Sequence, residues 1–187
     1  MADMGKKQQG LTLIELMVTL AVAIILVTVG MPLFSGIVAN NRATTQANTF
    51  LSAFKLARSE AVKRGTNVSV CAIADPAASP VVCGTNANWG NGLLVFTDLS
   101  TAGVVDGSDV RLKVFANPSA GSNVTTTGAF VRYQAQGDLV NPTVSDGVCA
   151  GSLTCLQLGQ TGTTGTPNHC LHVMNSGQTR LERGACS

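Results

Sequence analysis

Six cysteines, two histidines and one carboxylate at the edge of an apolar run are the residues of this 187-residue chain whose types and spacing could do chemistry. The cysteines are Cys71, Cys83, Cys149, Cys155, Cys170 and Cys186. An even number fits three bridges, drawn from about 15 pairings. The sequential set Cys71–Cys83, Cys149–Cys155 and Cys170–Cys186 is preferred, because each closes a local loop rich in turn residues. Each such loop contributes about 2–3 kcal/mol by chain-entropy reasoning. Zinc asks for close pairs such as Cys-x-x-Cys, which do not occur. Cys170 with His169 and His172 is the one mixed cluster. Strand alternation puts Cys170 and His172 on one face and His169 on the other. The expectation there is a surface histidine beside a structural disulfide, with no metal. Asp98, Asp106 and Asp109 offer oxygen ligands for calcium across residues 99–108, but the same composition makes an ordinary turn. No hydrolase elbow, phosphate loop or His-Glu-x-x-His motif is present, so no catalytic residue and no cofactor are expected.

Glu15 needs more explanation. Leu16 to Asn41 is a charge-free run of 26 residues, and Leu16 to Phe34 alone has the length of a membrane-spanning helix. A carboxylate within an apolar membrane helix costs about 2.5–3.5 kcal/mol at the centre and less near the end, so its presence asks for a function and a partner. Lys6 and Lys7 precede the run, which keeps the N-terminus cytoplasmic and places the rest of the chain across the membrane. A secretory signal would need a small-x-small cleavage site after the apolar core; Ala21-Val22-Ala23 fits the pattern but lies in mid-run. Pro32, between Gly30 and Gly36, is placed to break or kink the helix.

Beyond the apolar run the helix turns amphipathic. Ala43, Ala47, Phe50, Leu51, Phe54, Ala57 and Ala61 recur at three- and four-residue steps, and Lys63, Arg64 and Gly65 suit a helix end. A helix from Leu11 to Arg64 would be about 80 Å long, with its second half packed on a sheet through Phe50 and Phe54. Short alternating runs then read as strands at 67–74, 92–97, 110–115, 130–134, 155–158, 170–174 and 179–182, the last two joined by a turn at 175–178. Residues 75–91, 116–128 and 141–152 read as loops. The fold class is α+β, with one long helix on a mainly antiparallel sheet. Mean hydropathy is +0.28 and charged residues are only 12%, which excludes disorder, and the near-neutral charge argues against a highly charged nucleic-acid binder.

Gly10-Leu11-Thr12-Leu13-Ile14-Glu15-Leu16, after Lys6-Lys7 and before the uncharged helix, resembles the processing signal of type IV pilins and type II secretion pseudopilins. Residues 57–65 and 89–98 resemble the FimU/FimT and GspH-type minor pilins of that family. The resemblance covers roughly the first hundred residues and is looser beyond them. It implies a pilin-like fold: a leader at 1–10, a transmembrane and assembly helix at 11–36, and a periplasmic globular domain at 37–187 that includes the amphipathic half of the helix. It further implies cleavage by a prepilin peptidase between Gly10 and Leu11, and methylation of the new amine at Leu11, where the family usually has phenylalanine. Glu15 would dock against the N-terminal amine of a neighbouring subunit, and the Pro32 zone is where the helix unwinds during assembly. The implied function is that of a minor type IV pilin. It waits in the inner membrane, enters the pilus near its tip, helps to initiate assembly and links other minor pilins to the major pilin. The alternatives are a GspH-type pseudopilin of type II secretion and a FimT-like DNA-uptake pilin. For DNA the matching stretch is 177–183, where Arg180 and Arg183 remain but Gln178 replaces an arginine and Glu182 adds an opposing charge. Removal of Asp3, Lys6 and Lys7 with the leader leaves a nearly neutral chain, which weakens the DNA reading further.

Mass spectrometry of the mature chain should find a methylated Leu11 at its N-terminus; any other start would overturn the processing assignment.

Overall fold

The computed structural model describes residues 12–116, 122–126, 128–140, 154–160, 169–184 and 186, without the side chains of 29–35, 122 and 160. Gly10, Leu11 and Cys149 lie outside the described residues, as does the side chain of Pro32. The chain divides into two units, Met1–Val38 and Ala39–Ser187.

Helix α1, Leu13–Arg64, is the first element. It starts where the Thr12 hydroxyl accepts the amide hydrogen of Glu15 at 3.3 Å, an N-cap that satisfies one of the orphan donors of the first turn. It ends where Glu60 pairs with Arg64 at 2.6 Å and Gly65 takes a φ of 65° while its amide bonds the Ala61 carbonyl. The assignment is helical through position 32.

In the first unit, the large apolar side chains from Leu13 to Val27 are all half exposed or more. Among the described residues no helix is long and apolar enough to cross a membrane.

In the second unit, the expected stripe is the buried one: Ala43, Ala47, Phe50, Phe54, Ala57 and Ala61 are all at most 2% exposed, and Leu51 is partly buried. Ala53 joins them. Five alanines on this face let the helix approach its neighbours closely, and Phe50 and Phe54 fill the remaining volume. Thr44, Thr45, Thr49 and Ser52 return their hydroxyls to carbonyls one turn back, which satisfies them without a partner.

Two antiparallel four-stranded sheets follow, where the sequence suggests one. The strands are β1 (Val68–Ala72), β2 (Gly92–Thr97), β3 (Arg111–Ala116), β4 (Ser122–Thr125), β5 (Phe130–Tyr133), β6 (Thr154–Gln160), β7 (His169–Val173) and β8 (Thr179–Arg183). The first sheet has the order β3-β2-β1-β5 and the second β4-β6-β7-β8. Strand β4 lies in the stretch read as a loop. It is short and polar, with only Val124 turned to the core, so alternation does not reveal it; its pairing with β6 creates it. A short 3-10 helix, Asn86–Asn91, occupies the end of the other predicted loop and delivers Trp89.

One core joins the helix to both sheets. It contains Val68 and Val70 of β1, Leu93 and Val95 of β2, Val131 and Tyr133 of β5, Leu156 and Leu158 of β6, and Leu171 and Val173 of β7. Trp89 stacks on Phe54 with ring centroids 6.3 Å apart, and its indole N–H bonds the Gly128 carbonyl at 2.8 Å. The opposite face of the first sheet has a smaller cluster of Cys71, Ile73, Leu94 and Phe96, covered by Val81, Cys83, Val105 and Phe130. That cover explains why β1 and β2 are buried at every residue instead of alternating.

The two sheets meet at a joint made by Arg58 of α1. Its Nε donates to the Gly137 carbonyl and its Nη2 to the Ser176 carbonyl, both at 3.0 Å. Gly137 belongs to the turn after β5, and Ser176 to the β7–β8 turn. The Leu139 amide also bonds the Asn175 carbonyl at 2.9 Å. Both turns need φ values that only glycine adopts freely, 84° at Gly137 and 73° at Gly177. A Cβ at Gly177 would fall 1.7 Å from the Gly137 carbonyl oxygen.

Gly177→Ala should therefore lower stability by about 3 kcal/mol, combining left-handed strain with a backbone clash. Arg58→Ala should cost about 2–3 kcal/mol through two charge-assisted bonds. Denaturant unfolding with the disulfides intact checks both. Tyr133 gives a pH test. Burial pushes its phenol up to about 12, against the smaller opposing pulls of Thr179 and Arg58. The ionised form is thus disfavoured in the folded chain, so this stabilisation is complete below about pH 10 and is lost as pH rises from there through about 12. Tyr133→Phe should flatten that alkaline loss in thermal melts taken across this window.

Candidate functional site

Three regions hold the residues that the sequence singles out. The first is the start of α1. Glu15 is exposed and sits in the first helical turn, where the partial positive charge of the helix end favours a carboxylate. The Thr12 cap fixes the register of that turn, so Glu15 occupies its third position, with Leu13, Ile14, Leu16 and Met17 exposed around it. The site thus has one charge at the head of an apolar helical surface that the described chain leaves uncovered. Such a surface, well beyond a few scattered apolar residues, marks an interaction site with lipid or protein.

The second region is the 98–110 loop. The three aspartates do not converge on a common point; each carboxylate organises its own piece of backbone. Asp98 is fully buried, accepts the Ser69 hydroxyl and the Gly103 amide, and lies 3.4 Å from the Arg132 guanidinium. Arg132 also donates to the Asp98 carbonyl at 2.8 Å. Asp106 accepts from Ser100 and Ser108, and these bonds hold its carboxyl at about 2. Asp109 accepts the amides of Leu99 and Asp106. This is the turn chemistry that the composition offered as the alternative to calcium. Sequence spacing does not reveal the Asp98–Arg132 pair, whose members are 34 residues apart and meet through the pairing of β5 with β1.

The third region is the outer face of the second sheet. Cys71–Cys83 and Cys170–Cys186 are bonded as expected, and Cys155 is disulfide-bonded. The first bridge ties the 75–83 loop over the small cluster on the first sheet. Cys155, Cys170 and His172 share a face of β6 and β7, with the Cys155 Sγ 3.4 Å from the His172 Nδ1. His169 points the other way and is buried rather than at the surface. On β8, Glu182 reaches His172 at 3.6 Å and Arg180 at 2.9 Å. Arg180, read as a DNA contact, thus has a carboxylate on its guanidinium. Arg183 is exposed at the strand end. Sequence reading identified Glu182 as an opposing charge, but the role of Arg58 was invisible in it, because the carbonyls it binds are 79 and 118 residues away.

The family described as Type II transport protein GspH matches residues 46–177, and the Prokaryotic N-terminal methylation motif matches residues 5–31. Among curated proteins none matches the chain at a significant level. The fold is similar to two crystal structures of the type IV minor pilin FimU from Pseudomonas aeruginosa. One has a TM-score of 0.56 at 21% identity and covers 79% of this chain and 96% of that one. The other has a TM-score of 0.53 at 20% identity and covers 77% and 99%. At this identity the likeness speaks for the fold. The family match covers α1 from Gln46 onward and strands β1 to β7, and the methylation motif covers the apolar start of α1 with Glu15 in its first turn. The chain therefore belongs to the family described as Type II transport protein GspH and carries the prokaryotic N-terminal methylation motif.

Proposed function

We propose that this chain is a minor type IV pilin that primes pilus assembly and links tip subunits to the pilus shaft. The observation that carries the reading is the uncovered apolar surface of α1 from Leu13 to Val27 with Glu15 at its head. A prepilin peptidase cuts between Gly10 and Leu11 and methylates Leu11. The subunit then waits in the inner membrane, with its globular domain in the periplasm. On assembly the apolar surface passes from lipid to the helices of neighbouring minor and major pilins. The Glu15 carboxylate meets the N-terminal amine of the next subunit, and because an unpaired carboxylate is costly in a low dielectric, only the correct axial register is stable. Pro32 is the position at which the helix yields during that transfer.

The GspH match supports a second reading, a minor pseudopilin of type II secretion that uses the same docking chemistry. DNA uptake has less support, since Glu182 lies against Arg180. Phosphate contact there would first have to break that pair, and so small a basic surface gives weak, salt-sensitive binding.

A deletion strain complemented with the wild-type chain or Glu15→Ala separates these readings. The pilus reading expects deletion to abolish surface pili and leave secretion of folded exoproteins intact. Glu15→Ala should be cleaved and methylated normally yet restore under a tenth of the pili. Lost secretion with normal pili would favour the pseudopilin, and full piliation by Glu15→Ala would remove Glu15 as the docking residue.

A further inference from the structure

We propose that copies of this chain bind one another, with the 98–110 loop of one copy seated in a groove on α1 of the next. The groove has a volume of about 460 Å³ and is lined by Lys55, Arg58, Ser59, Val62 and Lys63. Its wall is apolar: the Val62 side chain is 54% exposed, and the basic side chains lay their aliphatic stems beside it. Its rim is cationic. The Arg58 guanidinium binds neutral carbonyls. Glu60 lies 3.8 Å from Lys63 but is already held by Arg64 at 2.6 Å. The groove therefore suits an apolar segment that carries negative charge, and the loop is such a segment. No lysine or arginine occurs between Asp98 and Val110. Asp98 is buried against Arg132, so Asp106 and Asp109 carry the loop's remaining charge. Three apolar side chains stand out beside them, with Leu99 53%, Val104 51% and Val110 54% exposed.

These side chains are gathered by the loop's own bonds. Asp109 accepts the Leu99 amide at 2.9 Å, and the Val110 carbonyl accepts the Thr97 amide at 2.9 Å, so the two ends of the loop adjoin. Asp106 braces the middle by accepting from Ser100 and Ser108, and the same bonds keep its carboxyl ionised at neutral pH. A loop already held in shape loses little freedom on docking. Opposite charges steer the two surfaces together, and the apolar side chains between them exclude water. Within one copy the first sheet stands between groove and loop. Helix α1 packs on the face that bears Val70 and Val95, while Val105 of the loop covers the opposite face at Ile73 and Phe96. The contact therefore joins two copies through unlike patches, an arrangement that repeats from copy to copy as a ring or an open helical row. It is separate from the apolar start of α1.

The test uses the full-length chain in detergent, followed by sedimentation velocity across protein and salt concentrations. The wild type should grow beyond dimers as its concentration rises, and added salt should weaken that growth. Lys55→Glu, a change at an exposed helix position, should weaken association by about fivefold. Lys55→Glu/Val62→Asp should weaken it by about tenfold or more, and Leu99→Asp/Val104→Asp should do the same from the loop side. Mixed in equal amounts, these two double variants should form dimers that grow no further, since each pair retains one intact groove and one intact loop. Circular dichroism checks that every variant is folded. A wild type that stays monomeric would leave the groove to a different partner and overturn the proposal. Folded double variants that associate like the wild type would assign the association to the apolar helix start, and a mixture of folded variants that stays monomeric would refute the pairing of groove with loop; either result overturns it as well.

Discussion

The Arg58 guanidinium ties the helix to both sheets of the globular unit at one point. The helix contributes one cation, and each sheet contributes one turn carbonyl to it. The geometry allows no separate adjustment of these parts. Gly137 and Gly177 favour glycine for their own turns, and both must also be small, Gly177 because its turn touches the Gly137 carbonyl and Gly137 because it lies against Val62 and Arg58 of α1. A buried or half-buried charge that binds neutral carbonyls is satisfied without a carboxylate and leaves no counter-ion to desolvate. The small helix residues depend on the same constraint. Ala57 and Ala61 flank Arg58 on the buried face and set how closely α1 approaches the core beneath it.

Aromatic side chains make up only 4% of the chain, so the core needs other sources of cohesion. One is concentration. Trp89, Phe50 and Phe54 are gathered at one place, and the two phenylalanine rings lie one turn apart on the helix and about 6 Å from the indole. Another is coverage of both faces of the first sheet, where the 75–83 loop is bound down by Cys71–Cys83 and by the Arg111 bond to the Val81 carbonyl. The buried Asp98–Arg132 pair closes the other loop. It stabilises less than its chemistry suggests, because desolvation offsets much of the attraction, but it fixes where the loop leaves β2.

The helix was legible in the sequence because its signals are local: a 3.6-residue stripe, a basic last turn and a following glycine. The three- and four-residue spacing from Ala43 to Ala61 marks most of the buried face, but Ala53 and Gln46, the latter expected off the stripe, are buried as well and Leu51 only partly. Seven of the strands were legible because alternating runs between turn residues need no partner to be seen. Strand β4 was not, since four mostly polar residues become a strand only when β6 supplies the hydrogen bonds. The division into two sheets was hidden for the same reason: pairing is a long-range property, and alternation identifies faces without naming neighbours. At the candidate site, Glu15 was legible as an anomaly in an apolar run. Arg58 was hidden, because a polar residue beside an amphipathic stripe reads as solvated until the turns that meet it are known.

The two ends of the chain meet their physical demands by opposite means. The described start of α1 leaves its apolar side chains exposed, a surface that favours contact with lipid or protein. The outer face of the second sheet is a ladder of polar and sulfur side chains: Cys155 and Gln157 on β6, Cys170 and His172 on β7, Arg180 and Glu182 on β8. Disulfides and ion pairs among these side chains add cross-links to the backbone ladder. Disulfides suit that place because they act mainly on the unfolded chain and need no volume in the core. They also leave the neighbouring His172 and Glu182 poised beside sulfur. Charge at the head of an exposed apolar helix and sulfur cross-links on a polar sheet face are two answers to a shortage of apolar partners within a single small chain.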